Sequence, residues 1–251
     1  MRRDILLPFI VYAVQIPITI AYVIGVLPVH PISITLPLVG FLTTQVERRG
    51  LKTLGLTIVQ PVPSLLLAVN SALLSFVGRL IALRLGHVPI RLPPLTRDVI
   101  GSLAGDLVVD LFVIALWEEI VDRGYIQTRL QGAWGFSGVI VTSLLFASLH
   151  LPSALHAYGW TPTVLFRFVQ TGLGGFMLGF LYWWTDSVLP PITVHGLRNF
   201  LALSVPLYLS GITANRLLAS QVPFQLSWLV GEVALMLLVC RPIFGERRAM
   251  S

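Results

Sequence analysis

Charge is scarce in this sequence, since Asp, Glu, Lys and Arg together make up only 11% of its 251 residues. A soluble domain carries about 25% charged residues. Because 55% of the residues are also apolar, the composition argues against a soluble globule. It argues equally against a disordered chain, which combines low hydrophobicity with high net charge.

Cysteine and lysine are nearly absent, with Cys240 and Lys52 as the single examples. One cysteine excludes an internal disulfide framework and a cysteine-rich metal site. Cys240 lies in an apolar run, where it is expected to face lipid or to pack as a small residue. The preference for Arg over Lys indicates a GC-rich genome and favours a prokaryotic source.

Long apolar runs dominate the sequence. A helix needs about 20 apolar residues to cross a bilayer. Eight runs are found, at residues 5–27, 32–45, 57–83, 98–120, 135–152, 163–184, 188–209 and 223–243. The second run is short, so seven crossings are the alternative. The sequence predicts an all-α, polytopic membrane protein of about eight transmembrane helices, organised as one helical membrane domain over residues 1–251.

The net charge of +6 comes mainly from bases between the apolar runs. Basic loop residues mark the cytoplasmic side of a membrane protein, so this excess is not evidence for nucleic-acid binding. With the N-terminus inside, ten bases lie on or near the inner side: Arg2, Arg3, Arg48, Arg49, Lys52, Arg123, Arg129, Arg241, Arg247 and Arg248. Five lie outside: Arg79, Arg84, Arg91, Arg97 and Arg216. This distribution predicts a multi-pass protein with both termini cytoplasmic, and the preference for Arg over Lys favours a prokaryotic cell membrane.

Ionisable side chains crowd into the fourth apolar run and its continuation. Steps of four residues from Asp106 reach Asp110 and, after Ile114, Glu118 and Asp122. This spacing places four carboxylates along one side of a helix, which must face other helices or water. Charged groups inside a span are costly, so the stripe is a candidate functional site.

The two adjacent glutamates of this cluster have different predicted roles. Glu119 and Arg123 are spaced i,i+4 with the acid N-terminal, which favours an ion pair within the helix. Glu118 points about 100° away from Glu119 and does not belong to that pair. A carboxylate without a cation in dry surroundings suits general acid/base catalysis near neutral pH.

A hairpin between the fourth and fifth runs would bring His150 to Glu118. Both residues are sixteen positions from Trp134, which lies at the predicted turn. At about 1.5 Å per residue they share one depth, roughly 24 Å from that turn. The meeting requires the fourth helix to continue past its apolar run to about Arg129.

A third polar element follows two prolines in the seventh run. His195 and Asn199 are spaced i,i+4 and share one face of a helix. Together with Glu118 and His150 they would converge from three spans in a lipid-shielded cavity. Such a set predicts a hydrolytic site in which water is activated either by the carboxylate alone or by a bound metal ion.

Other features of the spans have predicted structural roles. Arg167 and Arg198 are expected to pair with a nearby carboxylate or to reach the membrane interface rather than to bind substrate. The glycine pairs with four-residue spacing are expected to allow close packing of helices. These pairs are Gly101 with Gly105 and Gly175 with Gly179.

The three polar elements together resemble the CPBP family of intramembrane proteases, which includes the type II CAAX prenyl endopeptidases. The EExxxR motif is matched by Glu118, Glu119 and Arg123, the FxxxH motif by Phe146 and His150, and the HxxxN motif by His195 and Asn199. The resemblance covers about residues 98–205, which is the expected catalytic core. Asp122 departs from the family, which commonly has an aromatic or apolar residue before the arginine.

The resemblance implies a role for each matched residue. Glu118 would activate water as general base, and His150 would orient it. His195 and Asn199 would stabilise the oxyanion, while Glu119, Arg123 and Phe146 would support the site. Two mechanisms stay open. His150, His195 and Glu119 could hold Zn²⁺ or another divalent metal with an open water position, and a metal-free glutamate mechanism is equally consistent.

The predicted function is therefore that of an intramembrane endopeptidase of the CPBP type. Its expected partners are the lipid bilayer and a peptide or membrane-protein substrate, prenylated or not, with no nucleic acid. Two alternatives use the same residues differently. An ion-coupled transporter would need the intramembrane carboxylates for ion passage, and a non-catalytic membrane partner or immunity protein would keep them for folding.

Overall fold

The computed structural model describes residues 3–58, 60–90, 94–210 and 222–244, which form helices joined by turns without a β-strand. The α-helices are α1 (Arg3–Val23), α2 (Ile32–Phe41), α3 (Pro61–Leu85), α4 (Arg97–Trp134), α5 (Phe136–Leu149), α6 (Leu151–Tyr158), α7 (Pro162–Thr185), α8 (Leu189–Asn199), α9 (Val205–Ser210) and α10 (Val222–Phe244). The predicted all-α fold is confirmed.

Six helical segments of the described chain are long and apolar enough to cross a membrane. They are Ile5–Val23, Pro61–Leu85, Arg97–Trp134, Phe136–Tyr158, Pro162–Thr185 and Pro223–Cys240. The protein is thus an integral, multi-pass membrane protein. Two predicted runs are not among the six. The second forms a shorter apolar helix at Ser33–Val46, and the seventh is built from α8, a π-helical turn at Phe200–Ser204 and α9. The prediction of eight transmembrane helices is therefore approximate.

Helix α4 is much longer than a bilayer requires. Its 38 residues extend about 57 Å, whereas a hydrocarbon core is about 30 Å thick. The first half carries exposed apolar side chains such as Ile100, Val108 and Phe112. From Ile120 to Gln127, by contrast, every residue is buried. The first half of α4 is therefore suited to contact lipid, and the second half crosses the protein interior.

Two π-helical turns interrupt the regular geometry of α4. They span Val109–Ala115 and Ile120–Gln127, on either side of the α-helical turn Leu116–Glu119. Such turns are rare in helices and are frequent at functional sites. The glutamate pair thus lies on a short regular turn between two widened ones.

A helical hairpin joins α4 to α5. Helix α4 continues to Trp134, as the predicted meeting of Glu118 with His150 requires. Gly135 makes the reversal at φ +58°, a conformation that side chains with a Cβ disfavour. Helix α5 then packs along α7.

Helix α8 reaches the centre of the molecule, where it packs against α3, α7 and the first π-helical turn of α4. Gly196 allows this approach, because a Cβ at this position would lie 2.9 Å from the Cα of Leu111. The contact holds the two polar residues of α8, His195 and Asn199, close to α4.

Two large apolar clusters surround these helices, and a smaller one lies around Ala115 and Tyr182. One is formed mainly by α3, α7, α8 and α10, with Met177 and Leu181 fully buried. The other joins α1, α2 and α4 through Val11 and Val39. Cys240 is 0% exposed in the first cluster, so it packs inside the protein and does not face lipid.

Three of the bases that enter the topology prediction are buried within helices. Arg123 and Arg129 are buried within α4, where Arg129 pairs with Glu47 at 2.6 Å, and Arg79 is buried within α3. Five others lie outside the described residues, namely Arg2, Arg91, Arg216, Arg247 and Arg248. The cytoplasmic location of the termini stays a prediction.

The two glycine pairs differ in their surroundings. A Cβ at Gly175 or Gly179 would come within 3.0 Å of side chains on α5 and α4, so this pair packs closely as expected. A Cβ at Gly101 or Gly105 would meet nothing within 4 Å among the described residues. The predicted close packing is therefore wrong for Gly101 and Gly105, since this side of α4 faces away from the other described helices.

Gly196→Ala should lower the free energy of unfolding by about 1–3 kcal/mol, because the backbone at Leu111 would have to move. Thermal unfolding in detergent micelles, followed by circular dichroism, measures this effect. Gly105→Ala is the matched control and should leave the melting temperature unchanged. An unchanged melting temperature for Gly196→Ala would contradict the close approach of α8 to α4.

Candidate active site

Helices α4, α5 and α8 place the predicted catalytic residues around one cavity of about 260 Å³. Glu118, His150, His195 and Asn199 all line it, together with Phe146. Residues of α3, α7 and α10 complete its wall. Three separate segments of the sequence therefore meet at a single internal surface.

Glu119 lies behind this surface and is 0% exposed. Its Oε1 is 2.8 Å from His195 Nδ1, and its Oε2 is 3.3 Å from Arg123 Nε. The ion pair expected between Glu119 and Arg123 is thus present, with both side chains fully buried. A buried carboxylate needs such partners because the interior does not solvate its charge. Glu119 consequently ties α4 to α8.

The ring of His195 lies between two carboxylates. A carboxylate can only accept a hydrogen bond, so Nδ1–H of His195 donates to Glu119. The other ring nitrogen, Nε2, lies on the cavity side at 3.9 Å from Glu118 Oε2. The Glu118 side chain is 20% exposed, which is consistent with its position in the cavity wall.

Phe146 is the centre of a cluster of rings. Its ring centroid is 4.6 Å from that of His150 and 6.3 Å from that of His195. The Arg123 guanidinium lies over the same ring, 4.6 Å from the centroid. Arg123 also donates a 3.3 Å hydrogen bond to the carbonyl oxygen of Gly175 on α7. Phe146 therefore packs between the supporting pair and the cavity.

The FxxxH spacing also orients His150. The Phe146 carbonyl oxygen accepts a 2.9 Å hydrogen bond from His150 Nδ1. Because Nδ1 is the donor, Nε2 of a neutral His150 is an acceptor. The motif thus provides a ring nitrogen with a lone pair at the cavity.

The carboxylate stripe of α4 does not act as one unit. Of its positions, Glu118 and the apolar Ile114 line the cavity. Asp110 accepts a 3.1 Å hydrogen bond from Ser204. Asp122, the departure from the family pattern, is 3% exposed and is not part of the cavity wall. The described structure therefore gives no continuous row of carboxylates of the kind that an ion pathway would use.

The predicted metal ligands His150, His195 and Glu119 do not converge on one point. Glu119 is engaged by His195 and Arg123 and lies fully buried behind the cavity wall. Within the described part of the chain, no group of three or more His, Cys, Asp or Glu side chains is arranged to hold a metal ion. In this arrangement the residues do not fit Zn²⁺ or another divalent ion.

The cavity wall also contains a polar network that the motifs do not indicate. Ser75 on α3 donates a 2.8 Å hydrogen bond to Glu232 Oε2 on α10, and Arg198 Nη2 lies 2.6 Å from the same oxygen. Glu232 is thus the carboxylate partner expected for Arg198. The sequence signal for this network is the presence of single charges, such as Arg79 and Glu232, in otherwise apolar runs.

Arg123→Gln would leave the Glu119 carboxylate buried without its cation. The free energy of unfolding should fall by about 3 kcal/mol or more, since breaking one side of a buried pair leaves an uncompensated charge. Denaturant titration in micelles measures the change. Arg84→Gln, at an exposed position on α3, is the matched control with little expected effect. Equal stability of Arg123→Gln and the wild type would show that the pair does not hold α4 in place.

Residues 101–201 match the family model described as type II CAAX prenyl endopeptidase Rce1-like. The matched segment contains all three motifs and the helices that carry them. No curated protein and no solved structure matches the chain. Over residues 101–201 the chain is therefore similar to the type II CAAX prenyl endopeptidases, which supports the resemblance to the CPBP family of membrane proteases.

Proposed function

We propose that this protein is an intramembrane endopeptidase in which Glu118 activates a water molecule for attack on a peptide bond. The observation that carries the proposal is the pairing of Glu118 with His195 across 3.9 Å at the cavity wall, with Glu119 buried behind the imidazole. The family match supports a CAAX-type peptidase in general.

Glu118 is the general base of the proposed reaction. Its carboxylate takes a proton from the attacking water, while Nε2 of His150 accepts a hydrogen bond from the same water and orients it. Proton transfer by a positioned side chain contributes about 10²–10⁴-fold to a rate. Both groups line the same cavity.

His195 and Asn199 face the developing oxyanion. The water oxygen forms a bond to the carbonyl carbon, and the carbonyl oxygen becomes negatively charged. A protonated His195 donates to this oxygen through Nε2, and Asn199 donates through its amide. Glu119, at Nδ1 of His195, stabilises the positive charge that this role requires.

Collapse of the tetrahedral intermediate breaks the carbon–nitrogen bond. Glu118, which then carries the proton taken from water, returns it to the leaving nitrogen. The products are a carboxylic acid and an amine, and the glutamate is regenerated. One carboxylate thus acts first as the general base and then as the general acid.

A second cavity supports a lipid-modified peptide or membrane protein as the substrate. It measures about 370 Å³ and lies between α3 and α10, where it shares Trp228 and Glu232 with the first cavity. Leu74, Phe224 and Gly231 give it a mainly apolar wall. A prenyl chain in this cavity would lie directly beside the hydrolytic cavity.

Glu118→Gln and His150→Gln should each lower the rate of peptide hydrolysis by about 100-fold or more, because base and water orientation are lost. The assay uses proteoliposomes and two fluorogenic, membrane-anchored peptides of one sequence, with and without a farnesylated C-terminal cysteine. His156→Gln, an exposed histidine on α6, is the matched control and should keep full activity. Full activity of Glu118→Gln with an unchanged melting temperature would rule out the proposed mechanism.

Removal of divalent ions should not abolish hydrolysis, because the cavity residues do not fit a metal ion. Purified protein would be dialysed against EDTA and 1,10-phenanthroline, and its metal content measured by mass spectrometry beside the activity. Activity that disappears with the metal and returns on addition of Zn²⁺ would contradict the glutamate mechanism.

A further inference from the structure

The loop between α2 and α3 carries several exposed basic side chains. Arg48, Arg49 and Lys52 are all exposed. Glu47 is the only acid in residues 47–58, and its side chain is 3% exposed and pairs with Arg129 of α4 at 2.6 Å. Residues 47–58, called the basic loop below, therefore present three positive charges and no exposed negative charge.

Two of these cations are available to an external anion. Among the described residues, neither Arg48 nor Lys52 has a carboxylate within ion-pair distance. Arg48 ends the helical segment that follows α2, and Lys52 lies on the short 3₁₀ turn Leu51–Leu54. The two charges thus lie four residues apart on the same exposed segment.

The backbone preorganises the basic loop. Arg48 adopts a left-handed conformation at φ +56°, and the N–H of Arg49 then donates a 2.8 Å hydrogen bond to the Thr43 carbonyl oxygen. The 3₁₀ turn ends in the same way at Gly55, whose φ is +67° and whose N–H donates to the Lys52 carbonyl oxygen at 3.0 Å. These contacts fix the path of the loop without using the charges of Arg48 and Lys52.

The basic loop lies at one end of two membrane-spanning helices. The span Pro61–Leu85 begins shortly after the loop, and the span Pro162–Thr185 ends beside it, where the N–H of Val188 donates a 3.0 Å hydrogen bond to the Gly55 carbonyl oxygen. Two tryptophans occupy the last turn of that second span, and such aromatic side chains are enriched at the membrane–water interface. The loop is therefore at the level of the lipid headgroups.

Apolar side chains of the same loop are exposed beside the basic ones. They are Leu51, Leu56 and Ile58, the last of which is 81% exposed. Such side chains gain free energy when acyl chains replace water around them. Exposed basic and apolar side chains on one interfacial segment are typical of a contact with the membrane surface.

We infer that the basic loop binds the phosphate headgroup of an anionic phospholipid. Guanidinium and ammonium groups form charge-assisted hydrogen bonds with phosphate oxygens. A basic residue next to an anionic membrane surface contributes roughly fivefold to affinity. The apolar side chains of Leu51 and Ile58 favour a lipid over a soluble phosphate, because only a lipid also supplies acyl chains.

The inner side of the basic loop contacts α4, the helix that carries Glu118. A Cβ at Gly124 would lie 2.5 Å from the Leu54 carbonyl oxygen, and the hydroxyl of Tyr125 donates a 3.2 Å hydrogen bond to Glu47 Oε1. A lipid held on the outer side should therefore stabilise the packing of this part of α4, since a ligand that binds only the folded state raises its stability. Lipid binding does not depend on peptide hydrolysis, so either proposal can fail alone.

Native mass spectrometry of the full chain tests the inference. The protein is placed in micelles that contain equal amounts of phosphatidylglycerol and phosphatidylcholine with the same acyl chains. The bound lipid should be enriched in phosphatidylglycerol about tenfold or more, and Arg48→Gln/Lys52→Gln should lose most of this enrichment, roughly fivefold for each charge removed. Phosphatidylglycerol should also raise the melting temperature of the wild type above its value in phosphatidylcholine.

The matched control is Arg84→Gln/Arg97→Gln, which removes two exposed arginines from the opposite ends of α3 and α4 and should keep the enrichment. Arg48→Lys/Lys52→Arg retains both charges and should also keep it. If Arg48→Gln/Lys52→Gln lowers the melting temperature in phosphatidylcholine, Lys52→Gln alone replaces it and should reduce the enrichment roughly fivefold.

Equal binding of the two lipids by the wild type would overturn the inference. An enrichment that survives Arg48→Gln/Lys52→Gln, or that is lost equally in the control variant, would do the same, because the basic loop would then not be the site. Displacement of bound phosphatidylglycerol by glycerol 3-phosphate, which has no acyl chains, would identify a soluble phosphate as the ligand and would also contradict lipid binding.

Discussion

The buried charge of Glu119 is the interaction on which the rest of the site depends. An ionised carboxylate inside a membrane protein persists only with compensating partners. Glu119 has two, Arg123 one turn further along α4 and His195 on α8. These contacts fix the rotation of α4 about its axis. They therefore direct Glu118, about 100° around the same helix, to the cavity wall.

Close backbone packing makes that arrangement possible in a lipid environment, where apolar side chains gain little by leaving lipid for protein. Gly196 brings α8 against α4, and Gly175 brings α7 against Phe146. The helices thereby enclose a cavity that is lined by Glu118 and by three arginines, Arg79, Arg167 and Arg198. In the proposed reaction, a peptide that enters this cavity would exchange water for fixed donors and acceptors.

Much of the local architecture follows from spacing in the sequence. Apolar runs predict membrane helices because a helix has a fixed rise per residue. The same geometry predicts the Glu119–Arg123 pair and the equal depth of Glu118 and His150, both of which depend on contacts within one helix or one hairpin. The number of spans is less well predicted, because the division of the seventh run by a π-helical turn has no signal in the apolar pattern.

Contacts between helices that are distant in sequence were decided only by the tertiary structure. Sequence spacing gives no distance between α4 and α8, so Glu119 could equally be a metal ligand or, as the structure has it, the partner of His195. Nor does it show that Arg79 and Glu232, single charges in separate apolar runs, line the same cavity. The sequence by itself determined the membrane helices, the three motifs and the family that they resemble. The packing of those helices decided which polar groups meet, because in a low-dielectric interior each buried charge takes the partner that the fold places within reach.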